Sequence, residues 1–332
     1  MVADKYPTSS EHVFVGADPK VLAILDLVEL VSDTNTTILI TGESGTGKEI
    51  IARILHERSS RNSEPFVAVN CGAIAETLQE SELFGHCKGA FTGAVARKFG
   101  KFEIADSGTV FLDEITEMSP GMQAKLLRIL QFGEYAPVGS AENLYCDARI
   151  IAATNQDLHS LVMVGRFRHD LYYRLNTIQL ELPPLRERKG DIPLLIDHFM
   201  KDFKTEYSRK DLEISLGTIE ILMGYDFPGN VRELENIIRR AVVLCRDDGC
   251  IHPRHLPNEI LGKNGRCNQK PATFHEAKAQ VVEDFERSYL ISILIESRGI
   301  ISRAARITGL SERNFHEKLK KYRIAGKDYR KQ

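Results

Sequence analysis

The clearest pattern along the chain is a series of short runs of branched apolar residues, each followed by a polar or glycine-rich turn. Runs of this kind are typical of buried parallel strands. They cover residues 36–41, 66–69, 109–113, 149–153 and 178–182. Helical periodicity separates several of them, over Lys48–Ser59 and over Gly121–Phe132. The alternation predicts a doubly wound α/β fold with a parallel five-stranded sheet.

After the last run the pattern changes to amphipathic helices. Helical spacing covers 192–206, 215–224 and 230–245, with no strand pattern from Asp191 to about Leu261. Residues 262–273 are polar and typical of a linker, and a helix with an apolar stripe is predicted over 275–297. We therefore divide the chain into a tail (1–12), an α/β domain (13–185), a helical subdomain (186–261), the linker (262–273) and an all-α C-terminal domain (274–332).

Charge is unevenly distributed along the chain. The 332 residues carry a formal net charge of -2, which excludes a uniformly basic nucleic-acid-binding surface. From Arg298 to Gln332, however, eleven Lys or Arg residues face three acidic ones. Any DNA contact is therefore expected from this C-terminal segment.

The cysteines favour a reducing compartment. All six are scattered without a Cys-x2-Cys pair, and no apolar leader follows Met1, so we expect a cytoplasmic protein without a membrane span. Cys245, Cys250, His252 and His255 are close in sequence, and thiols and imidazoles can bind zinc. Their spacing matches no common zinc module, so we interpret the segment as a polar loop between helices.

The string GESGTGKE directly follows the first predicted strand and opens a helix. In that context a glycine-rich string predicts a phosphate-binding loop, in which Lys48 places its charge on the β and γ oxygens. A generic loop of this type has Ser or Thr where this chain has Glu49, so magnesium must be held by another group. The residues assigned to nucleotide binding are Gly42, Glu43, Ser44, Gly45, Thr46, Gly47, Lys48 and Glu49.

The run VFLDE delivers two carboxylates to the end of another predicted strand, where ligands of such sheets bind. Asp113 would organise Mg²⁺ through its water shell, and Glu114 would orient and polarise the attacking water. An acidic pair after a strand is often only a solvated strand end. Beside a phosphate loop it indicates hydrolysis of a nucleotide.

Several stretches together resemble the bacterial sigma-54-dependent transcription activators. They are GESGTGKE, ELFGHCKGAFTGA (Glu82–Ala94), GTVFLDEI, and FRHDLYYRLN with LPPLRER. The resemblance covers about residues 13–260 and implies an AAA+ ATPase with a helical lid. GESGTGKE is the usual loop in that family, so Glu49 fits the resemblance.

The most specific of these signals is GAFTGA, formed by Gly89, Ala90, Phe91, Thr92, Gly93 and Ala94. The resemblance implies that this loop rises from an ATPase ring and grips the sigma-54 factor in an ATP-dependent way. Small residues permit a mobile tip, on which Phe91 and Thr92 offer one apolar and one hydroxyl contact. The alternative is an ordinary surface loop with one buried Phe.

The resemblance also implies roles for single polar residues. Asn70 would be a switch that holds Glu114, and Asn155 a first sensor of the γ-phosphate, although either amide could instead cap a strand end. Arg168 and Arg174 would reach into the ATP site of a neighbouring subunit; their alternative is surface solvation or a salt bridge to Asp170. Arg232 would be the second sensor, on the lid.

The segment SRAARITGLSERNFHEKLKKYRI (Ser302–Ile324) resembles a Fis-type helix-turn-helix. A turn at Gly309 and a cap at Ser311 would separate its helices, with Phe315, Leu319 and Tyr322 facing the core. The alternative is a basic helical hairpin exposed to solvent. The residues predicted to contact DNA are Arg313, Asn314 and His316, which face the major groove with Lys320, and Lys318 and Lys321, which hold phosphates.

We therefore predict a transcription activator that binds upstream enhancer DNA and assembles from dimers to a hexameric ring. It would use ATP and Mg²⁺ to remodel the closed complex of sigma-54 RNA polymerase into an open complex. The rivals are another AAA+ machine, which lacks GAFTGA, and a DNA-binding repressor with a decayed nucleotide site, which lacks a catalytic group. About a dozen residues precede the predicted ATPase, too few for a sensor domain. Control is expected either in trans or from a domain absent from this chain.

Overall fold

A computed structural model describes residues 13–209, 211–245, 249–261 and 300–322, together with Glu286, Tyr289, Leu290, Ile293, Leu294 and Ser297. These residues belong to two compact units, the first ending at Leu261 and the second beginning at Gly262. The predicted tail at 1–12, the predicted linker at 262–273 and most of the predicted helix at 275–297 lie outside the described residues. Each unit is described by itself.

A parallel sheet forms the centre of the first unit. The strands of its α/β part are β1 (Ile38–Thr41), β2 (Phe66–Asn70), β3 (Thr109–Asp113), β4 (Glu134–Tyr135), β5 (Leu144–Tyr145), β6 (Arg149–Thr154) and β7 (Ile178–Glu181). Five of these described strands form one parallel sheet in the order β2-β3-β6-β1-β7. The predicted α/β fold with a five-stranded parallel sheet is confirmed.

One helix precedes the first strand of this sheet, and others connect the strands. They are α1 (Pro19–Val31), α2 (Lys48–Glu57), α3 (Glu76–Phe84), α4 (Lys101–Ile104), α5 (Pro120–Phe132), α6 (Leu158–Met163) and α7 (His169–Leu175). The carboxylate of Asp18 accepts the backbone N–H of Lys20 at 2.9 Å and so caps α1. α2 begins at Lys48, directly after Gly47 of the glycine-rich loop. The backbone N–H groups of its first turn, which have no partner within the helix, therefore lie at that loop.

Alternation along the strands sends neighbouring side chains to opposite faces of the sheet. Ile38 and Ile40 of β1 are fully buried in a cluster that contains the apolar residues of α1 and α2. Leu39, between them, belongs instead to the cluster formed with α3 and α5. Both faces of the sheet are therefore covered, as expected for continuous apolar runs.

The rest of the first unit is the predicted helical subdomain. Its helices are α8 (Ile192–Glu206), α9 (Leu216–Met223), α10 (Asn230–Leu244) and α11 (Asn258–Leu261). Their apolar faces share one core, in which Phe227 is fully buried and contacts Tyr225 edge to face at a centroid distance of 5.0 Å. Short 3-10 turns at Leu185–Glu187 and Lys189–Asp191 join this subdomain to the sheet.

Two pairs of short strands differ from the sequence prediction. β4 and β5 form an antiparallel pair that no apolar run predicted. In the helical subdomain, where strands were expected to stop, β8 (Glu213–Ile214) pairs with β9 (Cys250–Ile251) in parallel. A strand of two residues is too short to show an alternating pattern, so pairing with a distant segment decides its existence.

The second unit contains the predicted helix-turn-helix. Its first helix is Ile301–Thr308 and its second helix is Glu312–Lys321. Gly309 ends the first helix with a φ of 69°, and the hydroxyl of Ser311 accepts the backbone N–H of Asn314 at 3.2 Å. Among its described residues, the buried apolar side chains are Leu290, Ile293, Leu294, Ala304, Ala305, Phe315, Leu319 and Tyr322.

Candidate nucleotide site and family

The ends of β1, β2, β3 and β6 meet at one cavity of about 230 Å³ in the first unit. Because the carboxyl ends of parallel strands lie at the same edge of a sheet, side chains that are distant in sequence converge there. The cavity is lined by Ser44, Gly45, Gly47, Lys48, Glu49, Ile50, Asn70, Asp113, Glu114, Asn155, Val231, Arg232 and Glu235. Most of the predicted nucleotide-site residues are among them.

The glycine-rich loop turns tightly between β1 and α2. Gly42, Gly45 and Gly47 have φ values of 147°, 78° and 105°, in a region that other residues rarely adopt. The Nζ of Lys48 donates to the carbonyl of Gly42 at 2.8 Å and to that of Glu43 at 3.0 Å. Burial lowers the pKa of Lys48, and the negative charge of Asp113 opposes this effect. Contacts within the chain thus hold the lysine at the loop.

The helical subdomain touches this loop directly. A Cβ on Gly45 would lie 2.3 Å from the carbonyl oxygen of Gly229, so only glycine permits this approach. The backbone N–H of Val231 donates to the carbonyl of Gly45 at 3.0 Å. Arg232, the predicted second sensor, lies at the same edge with its Nη1 3.5 Å from Oγ of Ser44. The lid therefore forms one wall of the cavity.

The acidic pair lies at the end of β3. Oδ1 of Asp113 accepts the backbone N–H of Glu114 at 3.0 Å, and Glu114 has a left-handed φ of 52°. A Cβ on Gly72 would lie 2.3 Å from Oε2 of Glu114 and 3.4 Å from Oδ1 of Asn70. The structure thus places the Glu114 carboxylate and the Asn70 amide against the same glycine. Oδ1 of Asn70 also accepts the backbone N–H of Ala73 at 2.9 Å.

Asn155 directly follows β6 and lines the cavity with Lys48 and Asp113. Glu49 also lines the cavity, but its carboxylate pairs with Arg53 one turn along α2, at 2.6 Å. This chain has no Ser or Thr hydroxyl at position 49 to bind a cation, and the Glu49 carboxylate is paired with Arg53. The carboxylate of Asp113, which lines the cavity, is therefore the group that could hold a hydrated cation. Backbone N–H groups, a lysine and this carboxylate form a donor set that fits a nucleotide phosphate with a divalent cation.

The two predicted arginine fingers do not line this cavity. Arg168 precedes α7 and forms an exposed ion pair with Asp170 at 2.6 Å. Arg174, at the end of α7, donates from Nε and Nη2 to the carbonyl of Leu130 at 3.1 and 2.9 Å. Within the described chain neither guanidinium reaches the nucleotide site of its own subunit.

The GAFTGA segment forms a compact turn. Its ends are tied by a hydrogen bond from the N–H of Gly89 to the carbonyl of Ala94 at 2.9 Å. Gly93 has a φ of 107°, and a Cβ added there would meet nothing within 4 Å. Phe91 is 44% exposed and contacts the ring of His86 edge to face at 5.0 Å. Phe91 is thus not the buried anchor of an ordinary surface loop.

On the second helix of the second unit, Arg313, Asn314, His316 and Lys320 are exposed. Arg313 pairs with Glu317 at 3.4 Å, one turn along the same helix. Lys318 differs from the others because its Nζ pairs with Glu286 at 2.8 Å. Lys321 is exposed and donates to the hydroxyl of Tyr322 at 2.8 Å. Four of the six predicted DNA contacts, Arg313, Asn314, His316 and Lys320, are therefore exposed and have no ion pair with a described residue outside this helix.

The segment with the clustered cysteines and histidines has internal polar contacts. The buried thiol of Cys245 donates to the carbonyl of Cys250 at 2.9 Å, and Nδ1 of His255 accepts the N–H of His252 at 3.1 Å. Among the described residues no three ligands of metal-binding type lie together.

Three polar residues that the sequence did not predict as site residues support the glycine-rich loop from outside the cavity. Arg188 is 1% exposed and donates from Nη2 to the carbonyl of Thr46 at 3.0 Å; burial lowers its pKa. Asn230, fully buried, and Arg186 contact the loop at Glu43. Arg186 and Arg188 are both in LPPLRER, but nothing in that string reveals which backbone they approach.

Three known families match successive parts of the chain. Residues 14–181 match the sigma-54 interaction domain, residues 186–273 the AAA+ ATPase lid domain, and residues 281–322 the Fis family of bacterial regulatory proteins. The chain belongs to the sigma-54-dependent transcriptional activators. The family predicted from the sequence is confirmed.

Relatives within the family are similar over nearly the whole chain. The anaerobic nitric oxide reductase transcription regulator NorR of Enterobacter sp. (strain 638) is 41% identical over 96% of this chain and 65% of its own length. The transcriptional regulatory protein ZraR of Salmonella typhimurium is 44% identical over 94% and 70%. The Nif-specific regulatory protein of Sinorhizobium fredii is 42% identical over 96% and 58%. The chain thus spans between 58% and 70% of the length of these relatives.

Among solved structures, NtrX from Brucella abortus in complex with ATP matches with a TM-score of 0.73 and 34% identity. The match covers 94% of this chain and 70% of that one. A further structure of that protein, in complex with ADP, matches equally well. None of the helices in the described part of the chain has the length and apolarity needed to span a bilayer.

Proposed function

We propose that this chain hydrolyses ATP with Mg²⁺ and uses the energy to remodel the closed complex of sigma-54 RNA polymerase at promoters whose upstream DNA it binds. The observation that carries the proposal is the cavity at the sheet edge. It brings Lys48, Asp113 and Glu114 together with Asn70, Asn155 and Arg232. A repressor with a decayed nucleotide site would lack at least one of these groups.

The residues of the cavity suit phosphoryl transfer to water. Lys48 would exchange its loop carbonyls for β- and γ-phosphate oxygens, and Asp113 would hold Mg²⁺ through its water shell. Glu114 would polarise the attacking water. Asn70 would hold the Glu114 carboxylate until the nucleotide is in place. Asn155 and Arg232 would sense the γ-phosphate from the sheet and from the lid.

Arg168 and Arg174 would complete the site of a neighbouring subunit. A cation supplied in trans neutralises charge that develops on the transferred phosphoryl group. Both guanidiniums lie away from the cavity of their own chain, which supports this assignment. Hydrolysis would therefore require a homo-oligomer, from a dimer to a hexameric ring.

The GAFTGA turn would be the contact with sigma-54. It exposes an aromatic ring and a hydroxyl on a segment closed by local hydrogen bonds. The second helix of the Fis-type unit would enter the major groove, with Arg313 and Asn314 reading bases and His316, Lys318, Lys320 and Lys321 supporting it. A protein acting on chromosomal promoters would work in the cytoplasm.

The test compares the wild-type chain with Glu114→Gln. We expect the substitution to lower the kcat of ATP hydrolysis at least about a hundredfold, because the water loses its base, while nucleotide binding persists. With ADP and aluminium fluoride, the wild-type chain should capture purified sigma-54 on a native gel.

Glu29→Gln is the matched control, because it removes an exposed carboxylate of α1 that does not line the cavity. It should hydrolyse ATP at the wild-type rate. Hydrolysis without capture would identify another AAA+ machine, and a wild-type chain that binds no nucleotide would identify a repressor; either result overturns the proposal.

A further inference from the structure

Glu43 occupies the glycine-rich loop, yet its side chain does not face the nucleotide cavity. Among the described residues that line the cavity, Ser44 and Gly45 are present but Glu43 is not. Its carboxylate instead forms a two-pronged pair with Arg186, with Nη1 to Oε2 at 2.8 Å and Nη2 to Oε1 at 2.7 Å. Arg186 belongs to the 3-10 turn that joins the sheet to the lid.

Asn230 connects the same carboxylate to the lid. Its Nδ2 donates to Oε2 of Glu43 at 3.1 Å and to the carbonyl of Ser44 at 2.9 Å. Its Oδ1 accepts the N–H of Leu185 at 2.8 Å. This residue is fully buried and adopts a left-handed φ of 54°, a conformation that surrounding contacts must maintain.

Pairing with Arg186 balances the negative charge that Glu43 brings to the glycine-rich loop. An unpaired carboxylate on a phosphate-binding loop would repel the phosphates. Hydrogen bonds from Arg186 and then from Asn230 lower the pKa of Glu43, so the group is ionised and its charge is directed to these partners. Meanwhile the backbone carbonyl of Glu43 accepts Nζ of Lys48 at 3.0 Å.

We infer that Glu43 is a positioning residue. Through Arg186 it fixes the glycine-rich loop to the hinge turn, the 3-10 turn at Leu185–Glu187, and through Asn230 it fixes the loop to the lid. The inference rests on the proposed nucleotide site and adds to it a residue that acts without touching the ligand. All of these contacts are made within the chain and none is made to the ligand. They therefore preorganise the loop equally for the ground state and the transition state, so their loss should raise KM and leave kcat unchanged.

The experiment measures the affinity of the full chain for a fluorescent ADP analogue and the kinetics of ATP hydrolysis. Glu43→Ala and Arg186→Ala should each weaken nucleotide binding about five- to tenfold, with kcat at saturating ATP within about twofold of wild type. The double variant should be no weaker than either single variant, because both remove the same pair. Glu43→Gln keeps the shape of the side chain and should weaken binding less than alanine.

Glu187→Gln is the matched control. It removes a carboxylate from the same 3-10 turn, where Glu187 pairs with Lys20 at 2.9 Å and does not contact the loop. Its affinity should equal that of wild type. The thermal unfolding midpoint of each variant is recorded, and Glu43→Gln decides the question if Glu43→Ala does not fold.

Unchanged affinity in Glu43→Ala or Glu43→Gln would overturn the inference, as would single effects that multiply in the double variant. The inference would also be overturned if Glu187→Gln weakened nucleotide binding as much as Glu43→Gln does. Loss of any carboxylate near the turn would then have the same effect, with or without contact to the loop. Failure of the proposed function is a separate result. A wild-type chain that binds nucleotide without capturing sigma-54 leaves this comparison intact.

Discussion

The nucleotide cavity and the GAFTGA turn are both marked by strong sequence motifs, but they are held in different ways. In the cavity, Gly45 lies against the carbonyl of Gly229 and the loop is bound to the lid and the hinge. In the turn, a Cβ on Gly89 or Gly93 would meet nothing within 4 Å and the hydrogen bonds are local, so its main distant neighbour is Gly139, which lies against Ala90. A site for chemistry needs groups fixed by distant contacts, whereas a partner-binding tip needs freedom to move.

The largest effect that separates the two regions is expected from Phe91→Ala. We expect at least about a thirtyfold loss of sigma-54 capture, since an exposed aromatic anchor is removed, with ATP hydrolysis within about twofold of wild type. Native gels with ADP and aluminium fluoride and a phosphate-release assay measure the two properties. Phe99→Ala, which removes a ring that is 57% exposed outside the GAFTGA segment, is the control.

Retained capture by Phe91→Ala would break the comparison, because the turn would then not be the contact. Equal losses in Phe91→Ala and Phe99→Ala would point to general apolar adhesion.

A pair of glycine substitutions tests the difference in packing. Gly45→Ala places a Cβ 2.3 Å from a lid carbonyl at a φ of 78°, while Gly93→Ala meets only the conformational cost of a φ of 107°. We expect Gly45→Ala to lower the free energy of unfolding by about 3 kcal/mol or more and Gly93→Ala by about 1 kcal/mol. Urea unfolding measures both. Equal losses would show that lid contact contributes nothing at Gly45.

The smallest expected effect extends the comparison to the second unit. Lys320 is exposed, whereas Lys318 is held by Glu286 at 2.8 Å. Lys320→Ala should weaken binding to duplex DNA a few-fold and reduce the slope of log K against log salt by about 1, while Lys318→Ala should change the slope less. Fluorescence anisotropy over a salt series measures the slopes. A larger change for Lys318→Ala would show that Glu286 releases it on DNA.

Much of the fold could be predicted from the sequence because its signals are local. Runs such as 109–113 are continuous and apolar only where both faces of a strand are covered, and the structure has β3 at these residues. The cap at Ser311 and the glycine at 309 similarly fix the ends of the two helices in the second unit. The two-residue strands β4, β5, β8 and β9 escaped prediction because their pairing depends on partners distant in sequence.

The sequence by itself determined the five-stranded parallel sheet, the lid helices and the position of the glycine-rich loop after β1, since apolar periodicity and glycine conformations act over a few residues. Only the tertiary structure decided what surrounds that loop. Glu43 is 143 residues from Arg186 and 187 residues from Asn230 along the chain. No local sequence pattern could therefore connect these residues. Close approach of a carboxylate, a guanidinium and a buried amide is a property of packed elements, and it arises where the lid packs against the sheet edge.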